Sequence, residues 1–404
     1  MIRVLLAMLS LGLADAATFK TIYQFGDSTT PMGLPAGRMV QDSHGVLYGT
    51  TIGSGGAFFS LSPPASPGAQ WTAAVLYEFG VNAGDGAGPD GVASGPGGAL
   101  YGVTGNGGAY GEGTVFQLTP PPSPGGSWAE TVLWSFGSPG DGESPAGPIA
   151  IDANGVIHGV TIGGGSFRDG TAFTLAPPAS GGAWSETVVH SFGGTGDGCH
   201  PASIVLDAGG TAYGTTSSEC NGAYGTVFSI SPSQSETVIY SFAEPADGSS
   251  PASVIVGAEG TRYGVTYGGG KGYGTVFSLT NQSGSWQEAV IYSFPGVDGS
   301  PKQGYSPHSL TLSASGTIYG VASAGGLGTG QPLRRHPGYG VVFKLGPPAS
   351  PDGSWQFRLL HAFHGASDGE EPLCNLILDP NGTRYGTTAV GGAGNLGTAF
   401  LLAP

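Results

Sequence analysis

The segment Pro201–Phe242 reads PASIVLDAGGTAYGTTSSECNGAYGTVFSISPSQSETVIYSF, and this single unit carries the signals that decide the fold. Residues 202–207 form a short apolar run that ends in Asp-Ala-Gly-Gly, which is a turn signal. Residues 211–216 and 225–230 are consistent with two further strands, and residues 235–242 alternate with period two. Four strands in about 50 residues match one blade of a β-propeller.

The unit recurs along the whole chain. Its Tyr-Gly element stands, with one His substitution, at Tyr48, Tyr101, His158, Tyr213, Tyr263, Tyr319 and Tyr385. The Phe that closes its fourth strand stands at Phe25, Phe79, Phe136, Phe192, Phe242, Phe294 and Phe363. A Trp opens the fourth strand at Trp71, Trp128, Trp184, Trp286 and Trp355, which predicts packing between neighbouring blades. A repeat of this length indicates a propeller, a solenoid or an array.

The phase of the repeat predicts how the ring closes. Residues 18–25 are a fourth-strand copy, whereas the chain ends just after a third-strand copy at residues 397–402. We therefore predict an all-β fold, a seven-bladed propeller with four antiparallel strands per blade. Residues 17–404 form one domain, in which residues 18–25 complete the last blade, built from residues 372–402. Closure in this way removes exposed end faces, whereas an open solenoid needs capping repeats.

Residues 1–16 have the pattern of a secretory signal peptide. Arg3 precedes an apolar run from Val4 to Leu13, and Ala14-Asp15-Ala16 fits the small-residue cleavage site. The run is too short to span a bilayer, and no second long apolar stretch follows. We expect secretion, to the extracellular space or the periplasm, and no membrane insertion.

Charge and composition exclude some classes of binding partner. The formal net charge is −15 with only 12 Lys plus Arg, which disfavours nucleic acid and anionic membranes as partners. Gly is abundant at 78 residues, but 39% hydrophobic residues at regular spacing argue against a disordered chain. We expect a monomer.

The three cysteines suit an oxidising compartment without forming a disulfide scaffold. Cys199 and Cys220 belong to one repeat, and the predicted topology brings their loops to one face of the ring. We predict that these two residues pair. Cys374 is then left as a small buried residue.

The repeated words resemble the GloVer tandem repeat of secreted bacterial proteins. The resemblance rests on Tyr-Gly-Thr-Thr, Gly-Thr-Val-Phe, Glu-Thr-Val-aromatic-Ser-Phe and Asp-Gly, and it covers essentially the whole mature chain. It implies secretion, and in many relatives a C-terminal surface-sorting tail follows the repeats. This chain ends at Pro404, directly after its final strand, so we expect release or periplasmic residence. The resemblance carries no catalytic residues.

The shared words themselves are predicted to be structural. An Asp precedes Gly after the fourth strand at Asp85, Asp141, Asp197, Asp247, Asp298 and Asp368. Such a ring of carboxylates could bind calcium, but Asp-Gly is ordinary turn chemistry and no calcium-loop pattern surrounds it. Asp42, Asp152, Asp207 and Asp379 are expected to cap backbone N–H groups in the hairpin after the first strand. We predict no metal and no cofactor.

Departures from the repeat are better candidates for a site. The topology places one position of each inner strand near the mouth of the central channel, at Arg38, Asp90, Ser203, Ser253, His308, Ser309 and Asn375. Small residues are usual there, so the charged or ring-bearing members favour ligand binding. Blade six adds two long loops on the same face, which contribute Lys302, Tyr305, Arg334, Arg335 and His336. On an acidic chain, this basic patch indicates recognition of an anionic group such as carboxylate or sulfate.

Two classes of function remain. The favoured one is a secreted non-enzymatic module that binds an extracellular glycan or protein at the channel mouth, because the sequence holds no catalytic motif. The alternative is a polysaccharide-active enzyme, more plausibly a lyase on uronic-acid glycans than a hydrolase. Such a lyase needs a base and a cation that stabilises the developing charge, roles open to His308 or Tyr305 and to Arg38, Arg334 or Arg335. A hydrolase needs two carboxylates, and Asp90 alone is available.

Overall fold

The computed structural model describes residues 17–26, 32–66, 68–123, 126–179, 181–217, 224–243, 246–295, 303–326, 338–350 and 353–404. Within these ranges the strands form seven antiparallel sheets, and the only helical segments are the 3₁₀ turns Gly53–Gly55, Pro96–Gly98 and Ala258–Gly260. The predicted all-β, seven-bladed propeller with four antiparallel strands per blade is confirmed. The predicted signal peptide lies outside the described residues.

The strands follow one order, from the inner to the outer strand of each blade. The chain begins with β1 (Thr18–Gln24). Blade 1 contains β2 (Pro35–Gln41), β3 (Leu47–Thr51), β4 (Ala57–Ser62) and β5 (Thr72–Glu78). Blade 2 contains β6 (Gly86–Pro89), β7 (Ala93–Ser94), β8 (Leu100–Gly107), β9 (Thr114–Thr119) and β10 (Ala129–Ser135). Blade 3 contains β11 (Gly142–Ile151), β12 (Ile157–Gly164), β13 (Thr171–Ala176) and β14 (Ser185–Ser191).

The remaining blades repeat this order. Blade 4 contains β15 (Cys199–Leu206), β16 (Ala212–Ser217), β17 (Thr226–Ile230) and β18 (Glu236–Ser241). Blade 5 contains β19 (Ser249–Val256), β20 (Arg262–Gly268), β21 (Thr275–Gln282) and β22 (Ser285–Ser293). Blade 6 contains β23 (Tyr305–Leu312), β24 (Ile318–Ala324), β25 (Val341–Gly346) and β26 (Gln356–Ala362). Blade 7 contains β27 (Ile377–Leu378), β28 (Arg384–Thr388) and β29 (Thr398–Ala403).

Blade 7 is a sheet of four strands built from both ends of the chain. Its order is β27-β28-β29-β1, so the first strand of the chain is its outer strand. The pairing runs antiparallel from Thr18 opposite Ala403 to Gln24 opposite Thr398. The outer edge of β29 is therefore covered by the chain itself.

The hydrophobic core lies between the faces of adjacent blades. Each cluster of buried apolar side chains joins neighbouring blades, as Val265 of blade 5 and Leu310 of blade 6 do. The Phe at the end of each outer strand contacts a Phe on the third strand of the next blade, with ring centroids 4.9–5.4 Å apart. These seven contacts are Phe25–Phe59, Phe79–Phe116, Phe136–Phe173, Phe192–Phe228, Phe242–Phe277, Phe294–Phe343 and Phe363–Phe400. The repeated Phe residues thus hold the blades together around the ring.

The glycine before the third strand and the proline of the inner strand form a second contact between blades. Gly225, with φ of +97°, lies directly beneath Pro251 of the next blade, where an added Cβ would overlap the proline ring. The other six pairs are Gly56–Pro89, Gly113–Pro145, Gly170–Pro201, Gly274–Pro307, Gly340–Pro372 and Gly397–Pro35. The recurrence of this Gly and this Pro in the repeat therefore lets adjacent blades pack closely at this point.

The other shared words are also structural. The Trp residues of the outer strands contact the Tyr-Gly tyrosine of the preceding blade, as predicted, in the pairs Trp71–Tyr385, Trp128–Tyr48, Trp184–Tyr101, Trp286–Tyr213 and Trp355–Tyr263. The inner-hairpin aspartates cap backbone N–H groups, as predicted: Asp207 Oδ1 accepts from Gly209 and Thr211 at 2.9 and 3.0 Å. Asp42, Asp152 and Asp379 make the same pair of bonds.

Candidate functional site

The central channel is a cavity of about 1130 Å³ lined by residues of all seven blades. Its walls are mainly apolar, with Ile151, Leu206, Val256 and Leu312 at the ends of four inner strands. Successive residues of an inner strand point toward the two neighbouring blades, and the edge of the strand faces the channel, so consecutive residues such as Ile149, Ala150 and Ile151 all line it. Polar side chains are concentrated at a few positions of the wall.

Arg38 is the only Lys or Arg among the described residues that line the channel. It lies on β2 at a bulge, where three residues of the inner strand face one residue of β3. Its side chain is open to the channel solvent, while the surrounding wall desolvates the guanidinium and lowers its pKa. Within the described part of the chain, no carboxylate lies within 4.0 Å of it, because Arg38 takes part in none of the ion pairs found there. An unpaired cation thus faces a largely apolar cavity.

His308 lines the same cavity from blade 6. Its ring packs edge-on against Tyr267 of blade 5, with centroids 5.6 Å apart. Burial in the channel wall lowers the pKa of His308 to about 4, so the imidazole is neutral at pH 7. Tyr267 is 39% exposed, and desolvation raises its pKa to about 12, so it remains a neutral phenol. Together they form a neutral aromatic patch.

Asp90 contributes more to the blade contact than to an open site. Its Oδ2 accepts a hydrogen bond from the backbone N–H of Gly147 at 2.8 Å, which joins blade 2 to blade 3. Burial raises the pKa of Asp90, and the Gly147 bond partly offsets this shift. Asp90 also stands where the inner strand of blade 2 is interrupted, between β6 and β7. It lines the channel, but one of its oxygens is already engaged.

The serines of the predicted mouth set are turned toward their neighbours. Ser203 Oγ pairs with Thr215 Oγ1 at 2.9 Å inside blade 4. Ser253 Oγ donates to the carbonyl of His308 at 3.2 Å, and Ser309 Oγ donates to the carbonyl of Cys374 at 2.8 Å. The hydroxyls of Ser253 and Ser309 therefore link adjacent blades, whereas that of Ser203 links two strands of blade 4. Asn375, at the matching position of blade 7, lines the cavity.

Tyr305 does not lie at the mouth of the channel, and its prediction as a ligand-binding residue or as a catalytic base is wrong. It is the first residue of β23 and is fully buried in the core shared by blades 5 and 6. Its ring contacts Tyr273 edge-on at 5.6 Å, and burial raises its pKa well above the ordinary value. Tyr305 already belongs to β23, where it pairs with Ala324 of β24, and its side chain packs in the interface between blades 5 and 6.

Several predicted residues lie outside the described part of the chain. Lys302, Arg334, Arg335 and His336 of the blade-six loops are among them, as is Cys220. Cys199 is buried and disulfide-bonded, and the pairing with Cys220 stays a prediction. Cys374 is a free, buried thiol that bonds the backbone of Thr387.

His200, which was not among the predicted site residues, also lines the channel and has a left-handed backbone with φ of +49°. Its backbone N–H donates to the carbonyl of Asp169 in blade 3 at 2.8 Å. The same residue position, directly before the inner-strand proline, has positive φ at Leu34, Gly88, Ser144, Ser250, Ser306 and Glu371. The position before the inner-strand proline recurs visibly in the sequence, but its left-handed conformation does not show there.

The outer edge of the ring carries a second set of ionisable groups. At four blade interfaces, a Glu of the outer strand lies near the aspartate of the Asp-Gly pair in the preceding blade. We term these the edge carboxyl pairs. They are Asp85/Glu130, Asp141/Glu186, Asp197/Glu236 and Asp247/Glu288. Burial and the neighbouring aspartate raise the pKa of Glu130, Glu186 and Glu288 to about 7. For Glu236 burial again raises the pKa to about 7, against the opposing effect of His190. The Oε1 atom of each glutamate is buried and has no hydrogen-bond partner among the residues that the structure describes.

Two groups of described residues have the donor atoms of a metal site. One contains His190, Asp197 and Glu236, and the other contains His361, His364 and Asp368; in each, the ligand atoms lie within 4.8 Å of one another. Both arise where His replaces the aromatic residue two positions before the Phe. This substitution was visible in the sequence as a possible sign of metal binding. It went unrecognised because His, like Tyr, fits the aromatic position of the repeat.

Comparison with known families identifies the repeat. A model of the Gloeobacter/Verrucomicrobia repeat matches residues 12–220 and 124–333. The chain belongs to this family. The match confirms the resemblance to the GloVer repeat, and it covers the blades that carry Arg38, Asp90 and His308.

Solved structures with the same fold are distant in sequence. The extracellular domain of a protein assigned as a hybrid two component system of B. thetaiotaomicron aligns with a TM-score of 0.55 at 11% identity, covering 94% of this chain and 39% of that one. A protein assigned as a 6-phosphogluconolactonase of Bacteroides uniformis aligns with a TM-score of 0.51 at 15% identity, covering 83% of this chain and 86% of that one. At these identities the likeness concerns the fold alone.

No curated protein matches the sequence. In the residues that the structure describes, no helix has the length and apolar character needed to cross a bilayer.

Proposed function

We propose that this chain is a secreted, non-enzymatic binding module that takes an anionic extracellular glycan at the mouth of its channel. The observation that carries the proposal is Arg38, a guanidinium without a carboxylate partner among the described residues, on the wall of a cavity of about 1130 Å³. An unpaired, partly desolvated guanidinium is a strong site for a carboxylate or sulfate, because it donates two parallel hydrogen bonds in a fixed plane.

The surroundings of Arg38 support a sugar as the carrier of that group. Tyr267 presents an exposed ring at the same mouth, beside the neutral His308. A sugar ring has an apolar face that packs on an aromatic ring and hydroxyls that a neutral imidazole and the Asn375 amide can bind. The net charge of −15 opposes anions at most of the surface, which favours a local basic position as the point of selection.

The proposal is tested by binding of the mature chain, residues 17–404, to an array of neutral, uronate-bearing and sulfated glycans. We expect retention of anionic glycans and a loss of about 10- to 100-fold in affinity for Arg38→Ala, since a charge-assisted hydrogen bond contributes roughly 1.5–3 kcal/mol. Arg358→Ala is the matched control, because Arg358 is exposed on the outer strand β26, away from the channel.

Equal binding by the wild type and Arg38→Ala would remove the proposed site. Binding to a protein instead of any glycan, still dependent on Arg38, would keep the site and change the class of ligand.

The alternative, a lyase on uronic-acid glycans, keeps Arg38 and His308 but loses Tyr305. A general base is most effective when its pKa is near the working pH, and His308 has a pKa of about 4, which makes it a weak base. This favours the non-enzymatic module. Release of an unsaturated uronate product, detected by its ultraviolet absorbance and abolished in His308→Ala, would reverse the preference.

A further inference from the structure

Two histidines and one aspartate meet at the outer edge of the ring, where blade 6 passes into blade 7. His361 Nε2 lies 2.8 Å from Asp368 Oδ2, and His364 Nδ1 lies 3.1 Å from the same oxygen. The three ligand atoms lie within 4.8 Å of one another. Three donors of the types that bind transition metals therefore converge on one small volume, far from the central channel.

The backbone holds these three groups in place. The other carboxylate oxygen, Asp368 Oδ1, accepts the backbone N–H of His364 at 2.7 Å. Gly365 and Gly369 exchange two backbone hydrogen bonds, of 3.1 and 2.9 Å, which close the loop between the ligands. The carbonyl of Asp368 accepts from Thr398 Oγ1 of blade 7 at 2.9 Å. The loop is thus pre-organised, which a tight binding site requires.

The exposure of the three residues fits a bound ion. Asp368 is buried, and the ring of His361 stacks on Phe19 of β1, with centroids 3.6 Å apart and planes 5° from parallel. The side chain of His364 is 57% exposed, so it leaves a path from solvent to the cluster. One side of the cluster is therefore closed by protein and the other is open.

The rest of the ring shows that the fold does not require these histidines. Blade 4 has the same loop with Tyr240, Ala243 and Asp247 at the matching positions. There Tyr240 donates to Asp247 Oδ2 at 2.8 Å, and the N–H of Ala243 donates to the same carboxylate at 3.3 Å. A tyrosine and a backbone N–H thus bind the aspartate in blade 4, whereas blade 6 places two imidazoles on its aspartate.

We infer that His361, His364 and Asp368 form a binding site for a divalent transition-metal ion of the Zn²⁺ class. Imidazole and carboxylate donors suit such ions. Ligand atoms about 2.1 Å from a tetrahedral Zn²⁺ ion are about 3.4 Å from each other, so the separations of 2.8 and 3.1 Å need to lengthen by only a few tenths of an ångström when an ion binds. Three ligands on one side leave coordination positions open to water or to a ligand from solvent.

The other cluster of this kind has a different donor set. His190 Nε2 lies 2.7 Å from Asp197 Oδ2, and Glu236 supplies a second carboxylate in place of a second imidazole. It belongs to the edge carboxyl pairs, which recur at interfaces without any histidine. It is therefore the internal comparison for the experiment.

The test is titration of the metal-free mature chain with Zn²⁺ by calorimetry, and with Co²⁺ by visible absorbance, at pH 7.5. The decisive variant is His361→Tyr/His364→Ala, which reproduces the Tyr240, Ala243 and Asp247 arrangement of blade 4 and so keeps the fold. We expect this variant to lose one bound equivalent and the Co²⁺ absorbance of that site. Loss of a direct ligand in His364→Ala alone should weaken binding by at least about 100-fold, beyond what loss of an outer partner costs.

Two matched variants separate this site from nonspecific binding. His44→Ala removes an exposed histidine beside Asp42, and His190→Tyr removes the imidazole of the comparison cluster. Both should retain the equivalent bound at His361. The inference is overturned if the double variant binds as many equivalents as the wild type, or if His190→Tyr alone abolishes binding.

Discussion

Glu130 illustrates how single residues at the outer edge respond to their neighbours. Within the described ranges, its buried Oε1 atom has no hydrogen-bond partner, and neither does the buried Oδ1 atom of Asp85 in the preceding blade. Burial and the nearby Asp85 raise the pKa of Glu130 to about 7, against an ordinary value of 4.5. The folded state therefore binds a proton that the unfolded chain has already released between these two pH values.

This shift predicts a pH dependence of stability with a definite sign. Because the folded state binds more protons than the unfolded chain between pH 4.5 and 7, the free energy of unfolding falls as pH rises through this window. Glu130→Gln removes the titration and supplies an amide donor near Asp85. We expect it to raise stability at pH 8 by on the order of 1 kcal/mol, after allowance for solvent screening, and to leave stability at pH 4 unchanged. Denaturant unfolding at both pH values measures this.

Glu143→Gln is the control for that prediction, because Glu143 is exposed on β11. It should have little effect at either pH. A gain for Glu130→Gln that is equal at pH 4 and pH 8 would contradict the proposed proton linkage.

Individual site residues were predictable only where the repeat supplied a reference. Arg38 was recognised because small residues occupy most of the matching positions, and the structure brings it to the channel wall. Tyr305 was misplaced because it was assigned to the loop before blade 6, whereas it is the first residue of β23 and packs between blades 5 and 6. His361 and His364 went unrecognised because their function depends on the meeting of side chains across a loop.

At the scale of elements, the contact of Gly225 with Pro251 explains two repeated words at once. Gly225 precedes β17, and Pro251 lies in β19 of the next blade. A Cβ at residue 225 would overlap the proline ring and lie 2.6 Å from the carbonyl oxygen of Thr216. The seven pairs of this kind set the closest approach of consecutive blades.

Gly225→Ala is therefore expected to destabilise the protein strongly. Left-handed backbone costs a non-glycine residue roughly 1–2 kcal/mol, and overpacking adds typically 1–3 kcal/mol. Gly272→Ala is the matched control, since Gly272 has the same φ of +97° but an added Cβ meets nothing within 4 Å. Unfolding free energies should rank wild type, Gly272→Ala and Gly225→Ala in falling order. Equal losses for the two variants would show that backbone strain alone matters.

At the scale of the whole molecule, closure depends on the pairing of β1 with β29. This pairing brings Phe19 against Phe400, with ring centroids 5.6 Å apart, and Phe25 against Phe59 of blade 1 at 5.2 Å. The first strand therefore adds an outer edge to blade 7 and core contacts to two blade interfaces.

Removal of residues 17–24 should open this seam. The variant would expose the edge of β29 and the apolar surface around Phe400, and exposed strand edges pair with other chains. We expect a lower thermal midpoint and self-association by size-exclusion chromatography with light scattering. Deletion of the first residue, Ala17, alone is the control. A monomeric variant with an unchanged midpoint would show that closure does not depend on β1.

The repeat alone determined the fold class, the number of blades and the order of strands, because strand periodicity and turn chemistry act over a few residues and recur seven times. It also indicated that the shared words are structural. Which side chains face the channel, and which meet across the seams, depends on how the ring closes. Arg38 lies in the channel wall without a carboxylate partner in the described part of the chain, and Glu130 lies near Asp85, because the ring brings together residues that are far apart in sequence. Two histidines converge on Asp368 because one loop folds back on itself. The pattern of a linear chain does not contain these distances.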